Sequence, residues 1–226
     1  MCAMEMEDVL EVYARPYDPL RPQVCLDEAA KQILSEVRAP LARECGQVER
    51  VDHEYQREGT SALFMLFMLF EPLAGKRRVL VRDRRTCLDY AQVIRYLCDE
   101  MYPDAQKIIL MQDNLNTHGP HSLYLAFQPT EARRLMERIQ WLEHGSAVSD
   151  FTPKHGSWLN MAEIELSVLA TQCLEERMES RERLERQVAA WETSRNAASC
   201  RVNWHFTTED ARVKLKQLYP VIVQVS

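Results

Sequence analysis

An uninterrupted run of nine apolar residues, Ala62 to Phe70 (ALFMLFMLF), constrains the fold of this chain more than any other stretch. It is about half the length that an α-helix needs to cross a bilayer, so it does not predict a membrane span. A short, continuous apolar run is instead typical of a strand that is buried on both faces. Such a strand requires a sheet with other elements packed above and below it.

Other elements predicted along the chain indicate what kind of sheet this is. Strands are predicted over Gln23 to Asp27, Ser61 to Glu71, Arg78 to Asp83 and Lys107 to Gln112, with a last β-like stretch at 148–153 (VSDFTP). Helices are predicted over Met4 to Tyr13, 86–102, Thr130 to Glu143, Trp158 to Met178 and Arg181 to Asn196. Because strands come first and then alternate with helices, we expect an α/β domain with a mixed sheet flanked by helices.

Composition narrows the class of protein. With 226 residues, 46% of them hydrophobic and 27% charged, the chain has the composition of a folded soluble protein with one compact core. Seven scattered cysteines without a Cys-x-x-Cys pair argue against a disulfide framework and against a zinc site. The first residues are acidic and amphipathic, unlike a signal peptide, so we expect a cytoplasmic protein.

The charge of the chain bears on nucleic-acid binding. A net charge of −6 argues against a large basic surface, but it is compatible with a local basic face or with a carboxylate cluster that binds metal ions. The candidates for a basic face are Lys76, Arg77, Arg78, Arg82, Arg84, Arg85 and Lys154. For the charges between residues 76 and 85 the alternative is a solvated hairpin surface.

Acidic residues follow several of the predicted strands. Asp113 follows the apolar strand KIILMQ, and Asp27 and Asp83 end two others. Ligand sites in open α/β sheets lie beyond the carboxyl ends of strands, although Asp-Asn is also common turn chemistry. Glu163 and Glu165 lie in the helix after the last β-like stretch. Carboxylates from such separate elements are hard oxygen ligands for Mg²⁺ or Mn²⁺, and their spacing alone does not choose among them.

The segment TPKHGSWLNMAEIELSVL (152–169) joins a loop to a helix. Asn160 and Glu163 are three residues apart and therefore share a helical face, whereas Glu165 points elsewhere. His155 in this segment and His118 after the apolar strand have neither Cys partners nor the His-x-x-x-His spacing of a zinc site. We expect both histidines to contact the substrate or to support the site.

Five segments carry a family resemblance: VCLDE (24–28), LMQDNLNTH (110–118), TPKHGSWLNMAEIELSVL (152–169), AAWETSRN (189–196) and NWHFTTEDARVKLKQLYP (203–220). They resemble the DDE transposases of bacterial insertion sequences, in the branch related to the mariner superfamily. The resemblance implies a ribonuclease H-like fold, in which two acids come from strands and the third from a helix. It assigns these roles to Asp27, Asp113 and Glu163, in place of Asp83 and Glu165.

The resemblance also implies an activity, a cofactor and partners. The activity is metal-dependent hydrolysis at a transposon end, which frees a 3′-hydroxyl that then attacks target DNA. Two Mg²⁺ or Mn²⁺ ions would be bound by the three acids. The partners would be DNA, as transposon ends and target, and a second copy of the chain in a homodimer, with no membrane involved. The candidate substrate contacts are Asn114, His118, Lys154, His155 and Asn160.

The domain organisation expected from the sequence has three parts. These are an N-terminal helix and linker over 1–22, a catalytic domain over 23–220 and a tail over 221–226. Members of the family usually carry an N-terminal helix-turn-helix region, which we expect to be absent here, as in a truncated copy or the product of a split gene. The alternatives to an active transposase are an inactive relic or assembly partner, and a host ribonuclease H-like nuclease with the same fold and acids.

Overall fold

The computed structural model describes residues 3–32, 35–36, 55–56, 63–113, 118–144, 159–176 and 178–219. Their strands are β1 (Gln23–Gln32), β2 (Ser35–Glu36), β3 (Tyr55–Gln56), β4 (Leu63–Glu71), β5 (Lys76–Arg82), β6 (Ile108–Asp113) and β7 (Ile139–His144). Their α-helices are α1 (Ala3–Tyr13), α2 (Cys87–Tyr96), α3 (Pro120–Ala126), α4 (Pro129–Arg138), α5 (Met161–Cys173), α6 (Arg181–Ala197) and α7 (Thr208–Lys214). A π-helical turn, Leu97–Met101, continues α2.

Five strands form one mixed sheet in the order β5-β4-β1-β6-β7, while β2 and β3 pair separately. β4 runs antiparallel to both β1 and β5, and β6 runs parallel to both β1 and β7. β1 is therefore the central strand, and its carboxyl end points in the same direction as those of β5, β6 and β7. This arrangement confirms the predicted α/β class with a mixed sheet.

Most of the apolar run is buried on both faces, as predicted, although Leu63 at the start of β4 is 51% exposed. Phe67 and Leu69 of β4 pack into the core on one side of the sheet, and Leu66, Met68 and Phe70 pack into the core on the other side. None of these five side chains is more than 1% exposed. Removing so much apolar surface from water makes β4 a principal source of the stability of the sheet.

Helices cover both sides of the sheet. α1, α5, α6 and α7 contribute to the core on one side, and α2, α3 and α4 contribute to the core on the other. α1 is part of the first of these cores, because Met6, Val9 and Leu10 are almost completely buried in it. In the described part of the chain, every helix is too short or too polar to span a bilayer.

The helix predicted over Trp158 to Met178 spans only Met161–Cys173, and strand pairing corrects two further predicted elements. The helix predicted over Thr130 to Glu143 ends at Arg138, and the chain continues as β7, because Ile139 to His144 pair in register with β6. The strand predicted over Gln23 to Asp27 extends to Gln32, because its pairing with β4 continues to Leu63. Strand pairing between distant segments overrides the local pattern in both cases.

Other differences concern elements that the sequence reasoning left out. α3 and α7 were not predicted, and both are short helices of seven residues. The β-like stretch predicted at 148–153 lies outside the described residues.

Candidate active site

Asp27 and Asp113 lie at matching positions on two neighbouring parallel strands. The ladder between β1 and β6 ends at the pair Cys25↔Met111. Asp27 comes two residues after Cys25 in β1, and Asp113 comes two residues after Met111 as the last residue of β6. Both backbone positions therefore lie just beyond the point where the ladder ends. Asp113 lies at the carboxyl end of β6, where ligands bind in α/β sheets, whereas Asp27 lies within β1, which continues to Gln32.

α5 begins beside Asp27 because its capping residue is bonded to β1. Asn160 is the N-cap of α5, and its Oδ1 accepts a hydrogen bond from the backbone N–H of Ala162 at 3.1 Å. Its Nδ2 donates to the carbonyl oxygen of Leu26 at 2.9 Å. Glu163 follows in the first turn of α5, and its side chain is exposed. The end of α5 that carries Glu163 is thus attached to the residue before Asp27.

Further contacts hold α5 along β1. The hydroxyl of Tyr13 in α1 donates to the carbonyl of Leu159 at 2.5 Å, just before α5 begins. At the other end, Lys31 Nζ of β1 donates to the carbonyl of Leu174 at 2.5 Å. The Tyr13 hydroxyl also lies 3.4 Å from Cys25 Sγ, and burial raises the pKa of this thiol to about 11. α5 therefore runs in the direction of β1 and is attached near both of its ends.

Glu165 is enclosed in the protein, whereas Glu163 faces solvent. Glu165 Oε2 lies 3.0 Å from Arg77 Nε of β5, and the side chain of Glu165 is 3% exposed. Arg195 of α6 donates from Nη2 to Glu165 Oε1 at 2.8 Å. A buried carboxylate between two guanidinium groups joins three elements, which is a structural role.

Asp83, another acid that the sequence suggested as a ligand, belongs to a surface ion pair. Its Oδ1 accepts a hydrogen bond from Arg181 Nη1 at 2.6 Å, and its side chain is 59% exposed. Asp83 follows β5, which is an edge strand two positions away from β1. Its position in the sheet therefore distinguishes it from Asp27.

His118 lies in a buried polar cluster next to β1. Its ring stacks on that of Tyr90 with centroids 4.7 Å apart and also faces Phe67 at 6.3 Å. Its Nε2 lies 3.7 Å from Glu28 Oε2, and Glu28 Oε1 accepts a hydrogen bond from Arg85 at 3.1 Å. Burial, together with the positive charge of Arg85, lowers the pKa of His118 to about 4. These contacts are all within the protein, and the predicted contact with substrate stays a prediction.

A second polar network supports the end of β6 and was missed by the sequence reasoning. The hydroxyl of Tyr90 in α2 donates to Gln112 Oε1 at 2.7 Å and accepts from Trp141 Nε1 of β7 at 3.1 Å. Gln112 is completely buried and directly precedes Asp113. The three residues of this network are far apart in the sequence, so no local sequence pattern predicts their contacts.

Several of the basic residues predicted to form a DNA-binding face are bonded to other groups of the protein. Arg77 is buried beside Glu165, and Arg78 donates to Glu192 at 3.0 Å. Lys76 Nζ donates to the carbonyl of Met101 at 2.8 Å. These groups therefore stabilise the hairpin and its neighbours.

The remaining predicted contacts, Asn114, Lys154 and His155, lie outside the described residues, as does the side chain of Asp113. Among the side chains that the structure does describe, no three or more His, Cys, Asp or Glu residues are arranged to hold a metal ion. A site made of three carboxylates depends on Asp113 and stays a prediction.

Comparison with known families identifies the class of the protein. The family model described as DDE superfamily endonuclease matches residues 22–185, and the chain belongs to this family. No curated protein sequence matches the chain significantly.

Solved structures of Mos1 mariner transposase show the same fold. A paired-end complex with Mn has a TM-score of 0.55 and 17% identity, covering 96% of this chain and 61% of the Mos1 chain. A strand transfer complex has a TM-score of 0.55 and 14% identity, covering 98% and 61%. A paired-end complex with Mg has a TM-score of 0.52 and 18% identity, covering 98% and 64%. The predicted ribonuclease H-like fold is therefore confirmed, and the chain spans less than two thirds of the Mos1 chains.

Proposed function

We propose that this chain is the catalytic domain of a DDE transposase that cleaves DNA at transposon ends and joins them to target DNA. Its catalytic carboxylates would be Asp27, Asp113 and Glu163. The observation that carries the proposal is the hydrogen bond from Asn160 to the carbonyl of Leu26, because it attaches the first turn of α5 to β1 beside Asp27. Membership of the DDE superfamily endonuclease family supports the same reading.

The donor set suits divalent metal ions. Carboxylate oxygens are the hard ligands that Mg²⁺ and Mn²⁺ prefer, and these ions keep several water molecules or bind substrate phosphate as well. Asp27 is half-buried and Glu163 is exposed, so the two side chains lie at the boundary with solvent that such ligands need. Bound there, two ions would activate a water molecule and stabilise the leaving oxygen of the cleaved phosphodiester. Mos1 structures contain Mn and Mg, which supports this cofactor.

Glu165 and Asp83 suit the role of metal ligand less well. Glu165 is held between Arg77 and Arg195 in the interior, and Asp83 is paired with Arg181. A carboxylate that is already neutralised by arginine attracts a metal ion less strongly. Glu165 and Asp83 are therefore not proposed as ligands.

The finer parts of the proposal concern origin and partners. We propose an element of the bacterial insertion-sequence type related to mariner, acting in the cytoplasm on transposon ends and target DNA as a homodimer. The Mos1 structures are paired-end and strand transfer complexes, which supports DNA as the partner. The quoted family motifs support the insertion-sequence origin.

A DNA cleavage assay tests the proposal. The full chain is incubated with a plasmid that carries the gene and its flanking DNA, in the presence of Mg²⁺, Mn²⁺ or chelator. Cleavage at a boundary of the element is expected with either metal and absent with chelator. Asp27→Asn, Asp113→Asn and Glu163→Gln should each reduce cleavage to the level seen with chelator, whereas Asp83→Asn should retain it.

Other outcomes identify the alternatives. A folded wild-type chain that cleaves no DNA under any of these conditions would show an inactive relic or an assembly partner. Cleavage of an RNA–DNA hybrid in preference to DNA would show a ribonuclease H-like host nuclease. Full activity in Asp27→Asn or Glu163→Gln would exclude the proposed site.

A further inference from the structure

Asn160 differs from the other capping residues of the described helices. In α2, α6 and α7 the N-cap residues are Thr86, Ser180 and Thr207, and each side chain accepts from a backbone N–H in the first turn of its own helix. Asn160 makes this local bond to Ala162 and adds a second bond to a strand. A hydroxyl or carboxylate would suffice for capping alone.

The second bond depends on the chemistry of an amide. Asparagine carries both an acceptor oxygen and a donor NH₂ group on one planar side chain, whereas aspartate has no donor. Oδ1 of Asn160 faces the first turn of α5 and Nδ2 faces the Leu26 carbonyl, so one rigid group sets the distance between helix and strand. Asn160 is completely buried.

The acceptor of this second hydrogen bond, the Leu26 carbonyl, lies next to a proposed metal ligand. The Leu26 carbonyl comes one residue after Cys25, where the ladder with β6 ends, and one residue before Asp27. Asn160 also binds Glu163 through a separate hydrogen bond, in which the backbone N–H of Glu163 donates to the Asn160 carbonyl at 3.1 Å. Asn160 therefore connects the two proposed ligands through bonds of different kinds: its side chain binds the backbone next to Asp27, and its carbonyl binds the backbone of Glu163.

From this geometry we infer that Asn160 is a positioning residue, which sets the Glu163 carboxylate relative to Asp27 for metal binding and does not contact DNA. The inference rests on the proposed function, since it needs these two carboxylates to be ligands. It replaces the substrate-binding role that the sequence predicted for Asn160, because both polar ends of the buried amide are bonded within the protein.

The test measures Mn²⁺ binding by the full chain, with electron paramagnetic resonance of free Mn²⁺ as the readout and no DNA present. Asn160→Ser keeps a capping hydroxyl but is too short to reach the Leu26 carbonyl. We expect its dissociation constant for Mn²⁺ to rise about 10-fold or more, as for other residues that orient metal ligands. The matched control, Ser180→Ala, removes the cap of α6 and should leave Mn²⁺ affinity within about twofold of wild type, since α6 carries no proposed ligand.

Glu163→Gln separates this inference from the proposed function. If Glu163→Gln leaves Mn²⁺ affinity unchanged, the proposed metal site is wrong and the role of Asn160 falls with it. If Glu163→Gln weakens Mn²⁺ binding and Asn160→Ser does not, the proposed site stands and the positioning role is wrong. The positioning role is supported when both variants weaken binding and Ser180→Ala does not.

Stability has to be distinguished from positioning. Circular dichroism of each variant establishes that the protein is folded at the temperature of the binding measurement. If Asn160→Ser does not fold, Asn160→Thr is used, because it also retains a hydroxyl cap. Failure of both variants to fold would overturn the inference, since the amide would then be needed for the fold itself.

Discussion

Glu165 lies 3.0 Å from Arg77 in the interior of the protein, while Glu163, two residues earlier in the same helix, faces solvent. Residues two apart on a helix point in different directions, so neighbouring glutamates of one motif meet different surroundings. Glu165 joins α5 to β5 and, through Arg195, to α6. The short sequence EIE therefore contains one acid with a structural partner and one that is presented to solvent.

This difference predicts opposite effects of two matched substitutions on stability. Glu165→Gln leaves Arg77 with an uncompensated buried charge, so we expect the free energy of unfolding to fall by about 3 kcal/mol. Glu163→Gln removes an exposed charge and should change it by no more than about 0.5 kcal/mol. Urea denaturation of both variants measures these changes in the free energy of unfolding. Equal losses would show that the ion pair of Glu165 is not structural.

The edge strand β5 depends on a carboxylate from α6. Glu192 Oε2 accepts from the backbone N–H of Val79 at 2.9 Å, and Oε1 accepts from Arg78 at 3.0 Å. Glu192→Ala leaves this buried N–H without its acceptor, so we expect a loss of about 1–3 kcal/mol in the free energy of unfolding.

The matched control for Glu192→Ala is Glu185→Ala, which breaks an exposed ion pair with Arg181 and should cost less than about 0.5 kcal/mol. Light scattering adds a second readout, because an uncovered strand edge promotes association. A Glu192→Ala protein as stable as Glu185→Ala would contradict the predicted role.

His118 should make stability depend on pH between about 4 and 6.5. Its pKa is about 4 in the folded protein, below its ordinary value of about 6.5. The unfolded chain therefore binds more protons in this window, so stability is fully present above pH 6.5 and is lost as the pH falls toward 4. The Glu28 carboxylate lies 3.7 Å from His118 but is paired with Arg85, so it does not reverse the lowering of the His118 pKa.

The comparison that checks this is the unfolding free energy at pH 7 and at pH 5, for wild type and His118→Gln. The drop between the two pH values should be about 2 kcal/mol smaller in His118→Gln, because other titrating groups are common to both proteins. An identical drop in the two proteins would mean that His118 titrates near its ordinary pKa in the fold.

Tyr90 should contribute through its hydroxyl as well as its ring. Tyr90→Phe keeps the ring against His118 but leaves Gln112 and Trp141 without their partner, so we expect a loss of about 1–3 kcal/mol. Tyr17→Phe, at an exposed tyrosine, is the matched control and should have little effect. Equal stability of these two variants in thermal denaturation would show that the network does not contribute to the stability of the fold.

Helices with strong local signals could be predicted closely from the sequence. α1 was expected over residues 4–13 and spans Ala3–Tyr13, and α6 was expected over 181–196 and spans Arg181–Ala197. In α6 the signal is explicit, because Ser180 caps the helix through the backbone N–H of Arg183. Such contacts lie within a few residues of each other, so the sequence contains them directly.

Elements and partners that depend on distant residues were predicted less well. The segment from Ile139 to His144 has a pattern that suits a helix, and only its pairing with β6 makes it a strand. The bond between Asn160 and Leu26 joins residues 134 positions apart, and the ion pair of Glu165 joins α5 to residues in β5 and α6. No local pattern specifies these partners.

The sequence by itself determined the α/β class, the strand buried on both faces and, through its motifs, the acids proposed for the site. Only the tertiary structure decided that Glu165 is an interior ion-pair partner, that Asn160 joins α5 to β1, and that Arg77 is buried. The physical reason is that hydrophobic periodicity and capping are short-range properties of the chain. Burial, strand register and ion pairing are instead set by segments that meet only when the whole core has formed.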